Sequence, residues 1–311
     1  MTKMERPRVL VTEPIDPAGV AGFQEYAEVK LAFDADRAEL LNIVGDYDAL
    51  VVRVKHKIDR EVIDRGARLK VIAMNGIGLN HIDVNYAKEK GIAVLNVPDA
   101  SNDSVAELTI GLMLNLARRI NPAFASVREG QWNKHAFIGH ELKGKTLGII
   151  ALGKIGSRVA HIAQAMGMDV IAFDPFLTPQ AAAALKVELV SLPDLLGRAD
   201  VVSIHAPLTK DTYHLLGAEE LAQMKEGAFL VNAGRGGIVD EEALYAAVAS
   251  GHLGGFAGDV METEPPGKNK LFGLPNVVVT PHIGGNTHEA QRRIGLRLAE
   301  EIKKIIVPGA R

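Results

Sequence analysis

Apolar residues in this chain gather in short runs rich in Val and Ile and bounded by Gly, Asp or Pro. Nine such runs predict β-strands: Val9–Val11, Ala49–Val52, Val71–Ala73, Thr146–Ala151, Val170–Phe173, Val201–Ile204, Phe229–Asn232, Phe256–Asp259 and Val277–Thr280. Longer stretches with helical spacing separate them, such as Ser157–Met166 and Glu241–Ser250, and Ala181–Ala184 is a good helix former. Strands alternating with helices imply an α/β fold of parallel sheets covered by helices on both faces. One helical stretch differs from the others. Ser101–Arg118 opens on capping residues, ends in Arg118 and Arg119, and is apolar on most faces between them. It is expected to be buried, either between domains or subunits or in the core of one domain.

At 311 residues the chain is expected to form two domains. Its composition, 47% hydrophobic and 23% charged, excludes extensive disorder. A net charge of −3 argues against broad binding to nucleic acid or to a membrane surface, though not against a local basic pocket. Cysteine is absent, which removes disulfides, thiolate nucleophiles and Cys-based metal sites. No apolar run is long enough to span a bilayer, and the N-terminal residues lack the apolar core of a signal peptide. A cytoplasmic protein is the expectation.

Residues Thr146–Ala160 carry the richest pattern. An apolar strand runs into Ala151-Leu152-Gly153-Lys154-Ile155-Gly156 and then into a helix. This is the setting of a dinucleotide-binding turn, with Ala151 where the first glycine of G-x-G-x-x-G would stand. Gly153 would let a pyrophosphate approach the backbone, and Gly156 would let the helix pack on the strand. The helix N-terminus offers free amides to the phosphates. A second strand follows and ends in Asp174, 18 residues after Gly156. An acid there can accept both ribose hydroxyls and repel a 2′-phosphate, so NAD is expected over NADP.

A competing pattern lies just upstream. Gly139-His-Glu-Leu-Lys-Gly144-Lys145-Thr146 matches G-x-x-x-x-G-K-[ST]. A phosphate-binding loop of that kind follows a strand, whereas this segment precedes one, so nucleoside triphosphate hydrolysis is not expected. The histidines predict no metal site: His140-Glu141 lacks the second His of a zinc-binding helix, and His135 and His140 fall in a loop. No G-x-S-x-G nucleophile turn is present.

Three polar groups follow strands in the downstream half. Arg235 sits in Asn232-Ala233-Gly234-Arg235-Gly236-Gly237, Glu264 in Asp259-Val-Met-Glu-Thr-Glu264-Pro265, and His282 in Thr280-Pro-His282-Ile-Gly-Gly. The C-terminal ends of strands are where open parallel sheets bind ligands. A guanidinium on a glycine-rich turn can grip a carboxylate with two hydrogen bonds.

With these motifs, and with Glu141-Leu-Lys-Gly-Lys-Thr-Leu-Gly-Ile-Ile before the glycine turn, the chain resembles the D-specific 2-hydroxyacid dehydrogenases over essentially its whole length. It departs from many of them at Ala151 and at Met74-Asn75, where Arg-Ala is common. The resemblance implies two doubly wound parallel-sheet domains, an NAD-binding Rossmann domain inserted into a flavodoxin-like substrate domain. Residues 1–98 and 287–311 would form the substrate domain and 99–286 the nucleotide domain, with the helix from Ser101 as the link. It leaves no length for the regulatory C-terminal domains of longer phosphoglycerate dehydrogenases, and it implies a homodimer.

The family's catalytic trio maps onto Arg235, Glu264 and His282. Its cofactor contacts map onto Gly153, Lys154, Ile155, Gly156 and Asp174, with Ala233, Gly234 and Asp259 near the nicotinamide. Its substrate-carboxylate loop maps onto Asn75, Gly76, Ile77 and Gly78. Arg53 and Lys55 match a basic pair that contacts the substrate phosphate in some phosphoglycerate dehydrogenases. If both sit in a strand they share a face, so one anion could meet both. The expected substrate is a small D-2-hydroxy acid with an anionic tail, of the 3-phosphoglycerate or sulfolactate type. A glyoxylate or hydroxypyruvate reductase is the alternative, followed by an NAD(H)-sensing binding protein that catalyses nothing. Glu264 argues against the related formate dehydrogenases, which carry Gln there.

Overall fold

The computed structural model describes residues 5–310. Positions 1–4 and 311, which carry part of the signal-peptide reading and the outer ends of the expected substrate domain, lie outside the described residues. The chain divides into two compact units, one running to Ser101 and resuming at Gly285, the other spanning Asn102–Gly284.

The first unit holds a parallel sheet of β1 (Arg8–Val11), β2 (Glu28–Leu31), β3 (Ala49–Val52), β4 (Val71–Met74) and β5 (Ala93–Leu95), in the order β2-β1-β3-β4-β5. The central strands are apolar at almost every position because both faces are covered. Leu10, Leu50 and Ile72 pack with Leu40, Ile58 and Val62 on one face. Val9, Val51 and Val71 pack on the other with Phe23 and with Ile294, Leu298 and Ile302 of the helix His288–Ile306. This late helix meets the early helix Pro17–Gln24 at a glycine pair, where a Cβ on Gly19 would stand 2.7 Å from the Gly295 Cα.

The second unit holds a parallel sheet of β6 (Thr146–Ile150), β7 (Asp169–Phe173), β8 (Glu188–Leu189), β9 (Val201–Ile204), β10 (Phe229–Asn232), β11 (Gly255–Gly258) and β12 (Val277–Val279). Its order is β12-β11-β10-β9-β6-β7-β8, so the winding reverses between β6 and β9. Such reversals open a crevice at the carboxyl ends of the strands. The long apolar helix runs from Asn102 to Arg118, and Ala106, Ile110, Met113 and Leu116 join the core that contains Ala160, Val231 and Ala257. It is a core helix of this unit.

Three strands, β2, β5 and β8, were not expected from the pattern. All lie at sheet edges, where one side is open; β2 and β8 also carry charged positions that break the apolar run, and β5 is only three residues long. The segment Gly139–Lys145 is loop that leads into β6, so the fold gives it no preceding strand of a phosphate-binding loop. Among the described residues no helix is long and apolar enough to cross a membrane.

Candidate functional site

The glycine turn lies at the carboxyl end of β6. The strand stops at Ile150, and Ala151 adopts φ = 71°, the left-handed conformation that a glycine would take at no cost. Gly153 caps the helix Lys154–Ala165, and a Cβ placed there would meet no atom within 4 Å, so the space before the helix N-terminus is open. Gly156 is the opposite case: a Cβ would overlap the Ala151 carbonyl oxygen, so only glycine lets helix and strand approach this closely. Lys154 is exposed at the mouth of the turn, and Ile155 leans on the core and can offer only its backbone outward. Asp174, at the end of β7, accepts the Leu152 amide at 2.9 Å on one oxygen and the Phe176 amide at 2.9 Å on the other. Each oxygen keeps a second acceptor position for a ribose hydroxyl. Open space at Gly153, a helix N-terminus behind it and an acid beside the turn fit a dinucleotide.

At the reversal point His205 follows β9. Its Nε2 lies 2.8 Å from Ser203 Oγ and its buried Nδ1 has no partner. Burial pulls its pKa down to about 4, so the ring is neutral at physiological pH. Sequence reasoning passed over it. A histidine directly after the strand at the reversal was the available signal.

The other half of the sheet presents side chains. After β10, the buried Asn232 pins the turn, accepting from the Gly234 amide and donating to the Arg235 carbonyl, both at 3.0 Å. Ala233 and Gly234 are buried beneath it, and the half-buried Arg235 guanidinium donates to the Gly234 carbonyl at 2.7 Å. After β11, Asp259 is 3% exposed and its carboxylate is occupied. It accepts from Thr280 Oγ1 at 2.6 Å and from the Ile283 and Gly284 amides at 2.8 and 2.7 Å. Asp259 thereby fixes the loop after β12 that carries His282, itself at φ = 52°.

His282 Nδ1 and Glu264 Oε2 are 2.8 Å apart. The hydrogen bond to Glu264 raises the pKa of His282 above the ordinary imidazole value, against the opposing pull of burial. Partial burial pushes Glu264 upward, but its bond to His282, the charges of His282 and Arg235 and the Met261 amide together hold it below the usual carboxylate range. The two shifts describe one pair, an imidazolium beside a carboxylate. Both side chains are about half exposed, so the pair can reach a ligand.

In the first unit, β3 ends at Val52, so Arg53 and Lys55 lie in the following turn and the shared strand face expected of them does not form. The Arg53 guanidinium donates to Asn286 Oδ1 at 2.9 Å, and the Lys55 ammonium donates to the Phe33 carbonyl at 2.7 Å. The buried Glu13 accepts the Arg53 and Val54 amides at 2.7 and 3.1 Å and sets the turn, a role that nothing in the local sequence signals. Asn75 is buried at the end of β4, donates to Gln291 at 3.2 Å and leaves its Oδ1 unpartnered. Gly76 and Ile77 continue the chain as a bend and Gly78 follows it, with the Ile77 carbonyl accepting from Asn96 at 2.7 Å. No cluster among the described residues could hold a metal ion.

Residues 110–284 match the model of the D-isomer specific 2-hydroxyacid dehydrogenase NAD-binding domain. The chain is 47% identical over 300 residues to D-3-phosphoglycerate dehydrogenase of Methanocaldococcus jannaschii, covering 96% of this chain but 57% of that one. The chain thus spans little more than half the length of that relative. It is also 47% identical over 305 residues to hydroxypyruvate reductase of Thermotoga maritima, covering 97% of this chain and 99% of that one. Among solved structures, D-lactate dehydrogenase of Aquifex aeolicus complexed with NAD and lactic acid is 31% identical. It superimposes with a TM-score of 0.83, with 96% of this chain and 95% of that one covered. A glycine turn, an acid at the second strand and a histidine–carboxylate pair on the same sheet stand here beside end-to-end sequence likeness, and the chain belongs to the D-isomer-specific 2-hydroxyacid dehydrogenase family.

Proposed function

We propose that this protein interconverts a small D-2-hydroxy acid and its 2-oxo acid with NAD(H). The observation that carries the reading is the 2.8 Å contact of His282 with Glu264, their pKa values displaced in opposite directions, on the sheet that also bears Arg235. The bound dinucleotide supplies or accepts the hydride. Reduction of a 2-oxo acid builds negative charge on the carbonyl oxygen. His282 donates a proton from Nε2 to that oxygen, and in the oxidative direction the neutral ring takes the proton from the hydroxyl. Glu264 holds the ring through Nδ1 and favours its charged form. Arg235 holds the substrate carboxylate and polarises the carbonyl. Gly153–Gly156 receive the pyrophosphate, Asp174 the adenosine ribose, and Ala233, Gly234 and Asp259 border the nicotinamide. The negative charge of Asp174 selects NAD over NADP.

Arg53 and the Asn75–Gly78 loop are assigned to the substrate. Of the expected basic pair Arg53 is the stronger candidate, since its guanidinium keeps further donors after meeting Asn286, whereas Lys55 is committed to a backbone carbonyl. One basic group still favours an anionic tail. The commitment of Lys55 and the full-length likeness to a hydroxypyruvate reductase favour the second reading, an uncharged tail. A second copy of the chain is the proposed partner. Ile120, Phe124 and Val127 form an apolar strip on the helix Ile120–Arg128 and are 50%, 62% and 52% exposed, a surface suited to a matching copy.

The test is oxidation of NADH, with NADPH in parallel, against glyoxylate, hydroxypyruvate, phosphohydroxypyruvate, sulfopyruvate and pyruvate. Preference for an anionic-tailed acid that disappears in Arg53→Ala supports the first reading. Preference for hydroxypyruvate or glyoxylate supports the second. Tight NADH binding with no turnover of any member overturns the proposal.

A further inference from the structure

The turns that carry Arg235 and Glu264 come from different strands, yet they touch. A Cβ on Gly236 would fall inside the Met261 carbonyl oxygen, so the two backbones are in direct contact there. One residue outside both turns bonds to each of them. The His214 amide donates to the Gly237 carbonyl at 2.8 Å, which anchors the Arg235 turn. The His214 ring places Nε2 2.7 Å from Glu262 Oε1, in the turn that leads to Glu264. Glu262 is bolted a second time, its own amide donating to Glu241 Oε1 at 2.7 Å.

His214 is held for this task at a cost. Its backbone sits at φ = 50°, outside the comfortable region for most side chains. Its ring stacks on Tyr213 with centroids 4.0 Å apart and planes 14° from parallel. Asp240 Oδ2 stands 3.7 Å from Nδ1, too far for a hydrogen bond, and caps the neighbouring helix Glu241–Ala249 with its other oxygen. A residue in the left-handed region held by its surroundings, and bonded to the turns that carry Arg235 and Glu264, is the pattern of stored positioning.

We propose that His214 is a positioning residue that brackets the Arg235 and Glu264 turns, and through Glu262 keeps Glu264 within reach of His282. This rests on the assignment of Arg235, Glu264 and His282 as the catalytic trio. His214 touches neither substrate nor cofactor in this scheme. It acts on the distance between groups that do.

The experiment measures kcat and KM for the best 2-oxo acid, and NADH binding by fluorescence, in His214→Asn, His214→Gln and Glu262→Ala. Asparagine tolerates the left-handed backbone but falls short of Glu262, whereas the longer glutamine can place an N–H where Nε2 stands. The expected result for His214→Asn is a 10- to 100-fold fall in kcat, the size of effect a misplaced catalytic group produces. NADH binding should be unchanged, and His214→Gln should recover most of the rate. Glu262→Ala reads the same bond from its other end, should His214→Asn fail to fold, and the double variant His214→Asn/Glu262→Ala should be no slower than the worse single one. A kcat untouched in both single variants, or independent losses that multiply in the double variant, overturns the bracket. Glu264→Gln, measured beside them, separates the two levels: if it too leaves the rate unchanged the catalytic assignment has failed, and if it alone lowers the rate only the bracket has.

Discussion

The two halves of the seven-stranded sheet present their strand ends in different chemical languages. At β6 and β7 the groups offered are backbone amides, a bare Gly153 and one acid, Asp174. At β10, β11 and β12 they are ionisable side chains, Arg235, Glu264 and His282, on turns pinned by hydrogen bonds to Asn232, Met261 and Asp259. The first half works by leaving space and the second by filling it. A site made mostly from backbone depends on small residues and on the single charge of Asp174. A site made from side chains depends on proton positions and tolerates little else.

The contrast breaks most visibly at His282. His282→Ala should lower turnover by about 10²–10⁴, the contribution of a general acid–base group, with NADH binding kept. Stopped-flow reduction of the 2-oxo acid beside fluorescence titration with NADH checks both, and an equal loss of cofactor affinity would erase the division between the halves. Gly153→Val should do the reverse. A branched side chain in the open space before the helix should cost the dinucleotide about 1–3 kcal/mol, or roughly 10- to 100-fold in Kd. The rate at saturating NADH should then be largely preserved.

Glu264→Gln sharpens the side-chain half through pH. Glu264 raises the His282 pKa, so the proton needed for reduction is present at low pH and is lost only as pH rises through a value above that of free imidazole. Removing the carboxylate lets that value fall back, so the alkaline decline of reduction should move to lower pH. An unmoved decline would uncouple the two residues. The smallest expected effect is Ala151→Gly. Relief of a left-handed alanine, offset by the greater freedom of glycine in the unfolded chain, should stabilise the protein by about 0.5–1 kcal/mol and raise Tm by about 2 °C. Calorimetry reads this, and kcat should not change.

What the sequence disclosed follows the same division. Val9–Val11, Ala49–Val52 and Val201–Ile204 lie in central strands, where burial on both faces leaves nothing but apolar residues to read. Glu28–Leu31 and Glu188–Leu189 are edge strands whose solvated positions break the pattern. The glycine turn and the residues after β10, β11 and β12 were legible because each is a local signature. Arg53 and Lys55 would share a face only in a strand, but Glu13, some forty residues away in sequence, accepts the Arg53 and Val54 amides and turns the chain after Val52. Glu13 and His214 stayed hidden for one reason: their roles are defined by partners that the fold, not the local sequence, brings near.

The glycine contact between Pro17–Gln24 and His288–Ile306 has a consequence for the order in which the molecule is made. During synthesis the five strands of the first sheet leave the ribosome long before the helix that covers Val9, Val51 and Val71 exists. The segment Asn102–Gly284, in contrast, contains its whole core and can close as soon as it is complete. The face of the first sheet that Phe23 covers only in part therefore waits for residues 288–306 before its packing is complete, although its last strand ends at Leu95.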